Sequence, residues 1–366
     1  MTIKNKRNHY NVKLLRGYGA SISLKNSKII LKNGSHDVTG ESEREEWFVN
    51  RMPYEKIVVS GKGYISTEAM SVLSEHNRHV ILVDTYGNPV TFLEPVRSSF
   101  TATKYRMGQY DTFRDKNKCE YLSKQIVMAK LDSQIKFLES TEKPELSDGI
   151  SKLKQYRKSL DHTKSKQIEA VSSRIYFREY SKLIDERFGF EARNSPLRIK
   201  KDRATDVINA LLNYGYAVLA GEISKFVNGV GLDAYYGFYH ANHTSFPALI
   251  YDLIEPFRWL VECSVWKLSD AKSKSRISKK QYAFTREGRV ILDSELIRRF
   301  LELLERTFQK ERRYDYKFGL KTQDGLKSVQ EITVVKIMIT NLAEFCLDEK
   351  YFQNDFLFGQ QTEKKS

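Results

Sequence analysis

The spacing of apolar residues changes near residue 95, and this change constrains the fold more than any other feature of the chain. Before it, short apolar runs at 21–24, 29–31, 57–59 and 80–83 are separated by turn-forming residues, a pattern that predicts strands. After it, apolar residues recur at intervals of three and four, which predicts helices. One such series is Val127, Leu131, Ile135 and Leu138.

The sequence therefore predicts an α+β protein of two domains. A small β-rich domain is expected over residues 1–96, and a larger all-α domain over residues 97–366. The length of 366 residues agrees with two domains. Within the second domain, Gly229 and Gly231 predict the end of one helix, and Pro247 predicts the start of another. Pro256 removes a backbone donor and is expected to kink the latter helix.

The charge of the chain indicates a polyanionic partner. Lys and Arg outnumber Asp and Glu by 61 to 46, which gives a net charge of +15. This balance favours nucleic acid binding over a basic but otherwise ordinary enzyme. No apolar run is long enough to span a bilayer, no signal peptide is visible, and the 3 cysteines lie far apart. We expect a cytoplasmic protein with reduced thiols and no membrane contact.

One acidic pair is the strongest candidate for chemistry. Asp252 and Glu255 are three residues apart, so both carboxylates fall on one face of a helix with apolar neighbours. Such a pair needs a compensating cation, which Arg258 or a metal ion could supply. With His240 upstream, the set suits Mn²⁺ or Mg²⁺ in phosphoryl chemistry, whereas a plain ion pair remains the alternative.

Several segments together resemble the CRISPR-associated integrase that acquires spacers. The resemblance covers residues 59–66 and 73–76 in the first domain, and it continues through the second domain in the family's order. The segments of the second domain are 169–177, 206–216, 231–240 and 252–258. Collinear matches in both domains are far more specific than any single motif.

This resemblance implies a β-rich domain, a helical catalytic domain and a metal-dependent DNA endonuclease and integrase. Such an enzyme inserts captured DNA into a CRISPR array by attack of a 3′ hydroxyl on a phosphodiester. It implies Mg²⁺ or Mn²⁺ at the catalytic residues Glu169, His240 and Glu255, with Asp252 as a further ligand or an orienting group. The implied partners are DNA (double-stranded, branched or with 3′ overhangs), a second copy bound through the β-rich domain, and the small dimeric second adaptation protein.

DNA contacts are predicted at two single arginines and at a basic run that precedes a helix. They are Arg174, Arg258, Arg198, Lys200, Lys201 and Arg203. Two other functions stay open. The first is the integrase of a mobile element (a casposon), which has the same catalytic set, and the second is a DNA-binding scaffold that has lost catalysis.

Overall fold

The computed structural model of the protein describes most of the chain, in the ranges 12–34, 44–84, 89–93, 100–160, 165–193, 204–240, 246–270, 273, 277–315 and 326–347. The chain divides into two compact units. The first contains residues 1–96, 194–221 and 267–306, and the second contains 97–193, 222–266 and 307–366. The domain boundary at residue 96 stays a prediction.

The first unit contains two four-stranded sheets and a short helix. The strands are β1 (Val12–Arg16), β2 (Ala20–Lys25), β3 (Lys28–Lys32), β4 (Arg44–Phe48), β5 (Lys56–Ser60), β6 (Gly63–Ile65), β7 (His79–Val83) and β8 (Pro89–Leu93), and α1 is Thr67–Glu75. One sheet has the order β1-β5-β7-β8, in which β8 is antiparallel to β7 and the other neighbours are parallel. The other has the order β4-β3-β2-β6, in which β6 is parallel to β2 and the other pairs are antiparallel.

Local sequence explains the hairpin between β2 and β3. Asn26 and Ser27 both have positive φ angles, 50° and 59°, which is the backbone of a two-residue turn between antiparallel strands. The apolar side chains of these strands face a core shared with β1, β5 and α1, including Leu15, Ile57 and Leu73, all fully buried. The strands predicted at 21–24, 29–31, 57–59 and 80–83 are thus confirmed.

Helices dominate the rest of the described chain, so the predicted α+β class is confirmed. They are α2 (Phe100–Arg114), α3 (Lys116–Glu139), α4 (Ser147–Ser159), α5 (Ser165–Ser181), α6 (Val207–Val230), α7 (Ala248–Ile254), α8 (Arg258–Ser269), α9 (Ser294–Phe308) and α10 (Glu331–Leu347). Among the residues described here, no helix has the length and apolar character needed to cross a membrane.

Two hairpins depart from the all-α pattern predicted for residues 97–366. They pair β9 (Tyr282–Phe284) with β10 (Val290–Leu292), and β11 (Glu311–Asp315) with β12 (Leu326–Gln330). Strands of three residues are too short to show an alternating pattern in sequence. The turn of the first hairpin depends on Gly288, whose φ of 72° suits glycine.

The predicted helix boundaries are confirmed where they matter for the site. Helix α6 ends at Val230, directly before Gly231, which has a φ of 100°. Helix α7 begins after Pro247 and ends at Ile254. A 3-10 turn over Glu255–Phe257 contains Pro256 and separates α7 from α8. The kink expected at Pro256 therefore falls on Glu255 itself.

Helix α3 is the central helix of the second unit. Asp115 caps its first turn by accepting from the backbone N–H of Asn117 at 2.8 Å. The helix packs against α4, α5 and the Glu255–Phe257 turn, and most of its side chains from residue 122 onward are buried. Lys130 is among the buried side chains. A buried lysine needs anionic partners, and these prove to be two predicted site residues.

Candidate active site

The four predicted catalytic residues all belong to the second unit. Glu169 lies in the first turns of α5, and His240 ends the described segment after α6. Asp252 lies on α7, and Glu255 opens the 3-10 turn. The candidate site therefore consists of residues from three separate stretches of the chain.

Asp252 is fully buried, and both of its carboxylate oxygens are occupied by hydrogen bonds. Oδ2 accepts from the backbone N–H of Phe238 at 2.7 Å and of Tyr239 at 3.0 Å. Oδ1 accepts from the backbone N–H of His240 at 2.8 Å and contacts His240 Nδ1 at 2.7 Å. Asp252 therefore fixes the segment that carries His240, and this geometry assigns it an orienting role.

The segment before His240 is held from a second side by Gln109 on α2. Its Oε1 accepts from the backbone N–H of Asp233 at 2.7 Å, and its Nε2 donates to the carbonyl oxygens of Asp233 and Tyr236. Close packing also requires Gly237, because a Cβ atom there would lie 2.5 Å from Asp252 Oδ2. These contacts give His240 one backbone position.

His240 has a defined tautomer in this arrangement. A carboxylate only accepts hydrogen bonds, so in the neutral imidazole Nδ1 carries the proton toward Asp252 and Nε2 has the lone pair. The side chain is 34% exposed, so the ring is reachable from solvent. A carboxylate behind an imidazole is the arrangement that orients histidine ligands of metal ions.

Glu169 and Glu255 face each other across the ammonium group of Lys130. Glu169 Oε1 contacts Lys130 Nζ and also accepts from Ser173 Oγ at 2.8 Å. Glu255 Oε2 lies 2.7 Å from the same Nζ, and its Oε1 lies 3.0 Å from Arg258 Nη2. One buried cation thus joins the two predicted carboxylate ligands.

The charges around this cluster control its protonation. Burial alone would raise the pKa of Glu255, but the charges of Arg258 and Lys130 outweigh it and lower the pKa to about 2. Burial alone would lower the pKa of Lys130, yet Glu255 and Glu169 keep that pKa above its usual range. Burial, together with the charges of Glu169 and Glu255, raises the pKa of Tyr239. Both members of the Lys130–Glu255 pair are therefore charged at neutral pH.

The donor set suits a hard divalent cation, since it offers two carboxylates and the Nε2 atom of an imidazole. The ammonium of Lys130 occupies the position between the carboxylates, and it stands in for such a cation. In the described part of the chain, no three His, Cys, Asp or Glu side chains lie together in a group that could hold a metal ion. The residues fit a divalent ion on the condition that Lys130 moves.

The residues predicted to contact DNA differ in where they lie relative to the predicted catalytic residues. Arg258 pairs with Glu255 and belongs to the cluster. Arg174 is exposed on α5, five residues after Glu169, so it points about 140° away around the helix. The basic run lies outside the described residues. It comprises Arg198, Lys200, Lys201 and Arg203.

Lys130 was missed by reasoning from sequence, although a signal exists. It is the one charged residue of the stretch 126–131, whose other members are apolar and buried. A charge inside a buried helical stretch indicates a specific anionic partner. The identity of that partner requires the three-dimensional contacts, because Glu169 and Glu255 are 39 and 125 residues further along the chain.

Known proteins resemble this chain in sequence and in fold. Residues 14–306 match the family model described as CRISPR associated protein Cas1. The CRISPR-associated protein Cas1 3 of Methanobrevibacter ruminantium is 30% identical over 281 residues, which is 72% of this chain and 79% of that protein.

Two solved structures share the fold. A casposase bound to its integration product has a TM-score of 0.77 and 25% identity, covering 94% of this chain and 95% of that one. A Cas6-RT-Cas1–Cas2 complex matches with a TM-score of 0.71 and 18% identity, covering 96% of this chain and 36% of that one. At this identity, the latter bears on the fold alone.

Proposed function

Because the chain belongs to the CRISPR-associated Cas1 family, we propose that it is a divalent-metal-dependent DNA integrase and endonuclease. It inserts captured DNA fragments into a CRISPR array by attack of a 3′ hydroxyl on a phosphodiester. The observation that carries the proposal is the pair Glu169 and Glu255, which share the ammonium of Lys130, while His240 interacts electrostatically with Glu255. Two carboxylates around one cation, together with an oriented imidazole of the same unit, suit metal-assisted phosphoryl transfer better than a structural ion pair.

Each residue has a distinct task in this proposal. Glu169, Glu255 and the Nε2 atom of His240 would hold Mg²⁺ or Mn²⁺. The ion, when bound, lowers the pKa of the attacking hydroxyl and neutralises charge on the phosphate. Asp252 fixes the proton of the neutral His240 ring on Nδ1 and so aims Nε2, and Arg258 holds Glu255 in its ionised state. Water in place of the hydroxyl would give endonuclease activity.

DNA is the proposed substrate and partner. The net charge of +15 supports it, as does the similarity to a casposase bound to an integration product. Double-stranded, branched and 3′-overhanging ends all fit the proposed reaction. We also propose a homodimer formed through the β-rich domain of residues 1–96, and an assembly with the small Cas2-type adaptation protein, since a protein of similar fold was solved with Cas2.

A strand-transfer assay tests the proposal. A labelled duplex fragment is incubated with supercoiled target DNA and with Mn²⁺, Mg²⁺ or EDTA. The wild-type protein should join the fragment to the target in either metal and not in EDTA. Glu255→Gln removes a charged ligand, so joining should fall by about 100-fold or more, since metal assistance contributes several kcal/mol. Glu120→Gln, an exposed change on α3, is the matched control and should leave joining unchanged.

The chemistry of the nucleophile has its own control. A fragment ending in a 2′,3′-dideoxynucleotide lacks the attacking hydroxyl, so it should not be joined, whereas metal-dependent cleavage of branched DNA should persist. Joining of the dideoxy fragment would contradict the mechanism. DNA binding without joining or cleavage in any metal would indicate the non-catalytic scaffold instead.

A casposon-type integrase is a second candidate, favoured by the extent of the match to the casposase. It would carry out the same chemistry with a different choice of target. Targets with and without a CRISPR leader and repeat separate the two, since a spacer integrase should prefer the former. Equal use of both targets, combined with a requirement for particular fragment ends, would favour the casposon function.

A further inference from the structure

Lys130 contacts both proposed ligands, Glu169 and Glu255, but the proposed chemistry gives it no task. It lies in the middle of α3 with its side chain 6% exposed. Its neighbours Ala129 and Leu131 are buried and apolar. Burying an ammonium group in such surroundings is costly, and Lys130 is tolerated there because two carboxylates face it. The two carboxylates are Glu169 and Glu255, the proposed ligands.

The contact between Lys130 and Glu255 is an ion pair between two buried side chains. Glu255 Oε2 lies 2.7 Å from Lys130 Nζ. Its other oxygen is held by Arg258 at 3.0 Å. An ammonium that neutralises a carboxylate in this way supplies the positive charge that a bound metal ion would supply at the same atom.

We infer that Lys130 is a built-in counter-cation of the metal site, which a divalent ion must displace in order to bind Glu169 and Glu255. Lys130 thereby sets the affinity of the site for the ion, and it keeps the carboxylates apart and aligned in its absence. This inference rests on the metal-dependent function proposed above. The flexible four-carbon stem of lysine allows the ammonium to move away while the helix stays in place.

Displacement of Lys130 by a metal ion predicts the direction in which a Lys130 substitution changes the affinity for that ion. Every ion bound to wild-type protein must replace the contacts of Lys130 with two carboxylates. Without the ammonium, only Arg258 at the other oxygen of Glu255 offsets the charges of Glu169 and Glu255, so this like-charged pair attracts a divalent ion more strongly. Lys130→Met keeps the length and burial of the stem and removes the charge. It should lower the dissociation constant for Mn²⁺ by about tenfold or more.

The chain offers a matched control for this substitution. Lys154 on α4 forms a Lys–Glu pair with Glu139 at 2.7 Å, but the two side chains are 54% and 42% exposed. Lys154→Met removes the same charge from the same unit, away from the proposed ligands. Exposed pairs contribute little, so its Mn²⁺ affinity and its stability should equal those of wild type.

The experiment is a titration of Mn²⁺ alone into the whole 366-residue chain, monitored by calorimetry and by the electron paramagnetic resonance signal of free Mn²⁺. Tighter binding by Lys130→Met, with Lys154→Met unchanged, supports the inference. Equal or weaker binding by Lys130→Met overturns it and leaves the proposed function intact. If no protein binds Mn²⁺ up to millimolar concentration, the metal-dependent function fails, and the inference fails with it.

A second measurement uses wild-type protein and remains informative if Lys130→Met does not fold. Lysines are acylated with and without saturating Mg²⁺, and modified peptides are quantified by mass spectrometry. Lys130 is buried and paired without the ion, so displacement should increase its labelling severalfold. The labelling of Lys154 should stay constant. An unchanged labelling of Lys130 in saturating Mg²⁺ would rule out displacement.

Discussion

Replacing Asp252 by asparagine tests the orienting role that the structure gives to this carboxylate. Asp252 accepts four hydrogen bonds, two at each oxygen. Asparagine keeps one accepting oxygen, so its amide group must face two donors. The least costly arrangement turns the amide toward His240, because the imidazole can switch tautomer and accept at Nδ1. One buried donor, the His240 backbone N–H, then lacks a partner.

This arrangement gives two expected magnitudes. One unsatisfied buried donor lowers the free energy of unfolding by about 1–3 kcal/mol. The tautomer switch places the proton on Nε2, which removes the proposed ligand atom. The Mn²⁺ affinity should therefore fall by about 10–100-fold, the usual effect of losing the partner of a ligating histidine.

The assays are denaturant unfolding followed by circular dichroism and Mn²⁺ titration. Asp233→Asn is the matched control in the same segment. Asp233 accepts from the Tyr235 N–H at 2.8 Å and from the Tyr110 hydroxyl at 2.7 Å. That hydroxyl can rotate to accept from an amide, so this variant should lose less stability and keep its Mn²⁺ affinity. An Asp252→Asn protein with wild-type stability and affinity would refute the orienting role.

Further predictions concern this site and other parts of the molecule. Gly237→Ala should lower stability by about 1–3 kcal/mol in thermal or chemical unfolding, since its Cβ would lie 2.5 Å from Asp252 Oδ2. His240→Ala should abolish strand transfer with little loss of DNA affinity, whereas neutralising the basic run should weaken binding and flatten its salt dependence in titrations. The members of that run are Arg198, Lys200, Lys201 and Arg203. The β-rich domain of residues 1–96 should mediate self-association, so sedimentation should show a dimer at micromolar concentration, and a strict monomer would contradict it. Burial raises the pKa of the Cys346 thiol to about 12, so iodoacetamide should alkylate it at least about tenfold faster in denaturant than in the native protein at pH 8. Because the folded state favours the protonated thiol, the stability gained at Cys346 is complete below its ordinary pKa of 9 and is lost as the pH rises toward 12.

Sequence patterns predicted the parts of the fold that depend on local residues. Backbone constraints act at single positions, so Gly231, Pro247 and Pro256 marked helix boundaries that the structure confirms. The longer apolar runs likewise predicted β2, β3, β5 and β7. Strand β4 was not predicted, because its sequence, REEWF, carries three charges in five residues. Its place in the sheet depends on pairing with β3, which local pattern does not encode.

The site was predictable as a set of residues but not as a set of contacts. Glu169, His240 and Glu255 were identified through resemblance, and their role as metal ligands stays a prediction. The partner of Glu169 and Glu255 is Lys130, and long-range pairing of this kind leaves no periodic trace in sequence. The lone charge within the stretch 126–131 gives the position of a buried ion pair, but not the identity of its partners.

The different tasks of Asp252 and Glu255 follow from the backbone between them. Three residues apart on an uninterrupted helix, they would present two carboxylates on one face, as predicted from spacing. Pro256 has no N–H to continue the α-helical ladder, so α7 ends at Ile254 and Glu255 opens a 3-10 turn. Asp252 stays within the helix, where it accepts three backbone N–H groups of the preceding segment.

Glu255, at the break, instead contacts Lys130 on α3 and Arg258 at the start of α8. The Asp252 carboxylate is thereby occupied by three backbone N–H groups and by His240 Nδ1, and these contacts fix the segment that ends at His240. A metal ion could not replace the backbone donors without unfolding that segment. The Glu255 carboxylate is compensated by the side chains of Lys130 and Arg258, and the four-carbon stem of Lys130 is flexible. An exchangeable cation is the condition for binding a metal ion, so the helix break decides which of the two acids can serve as a ligand.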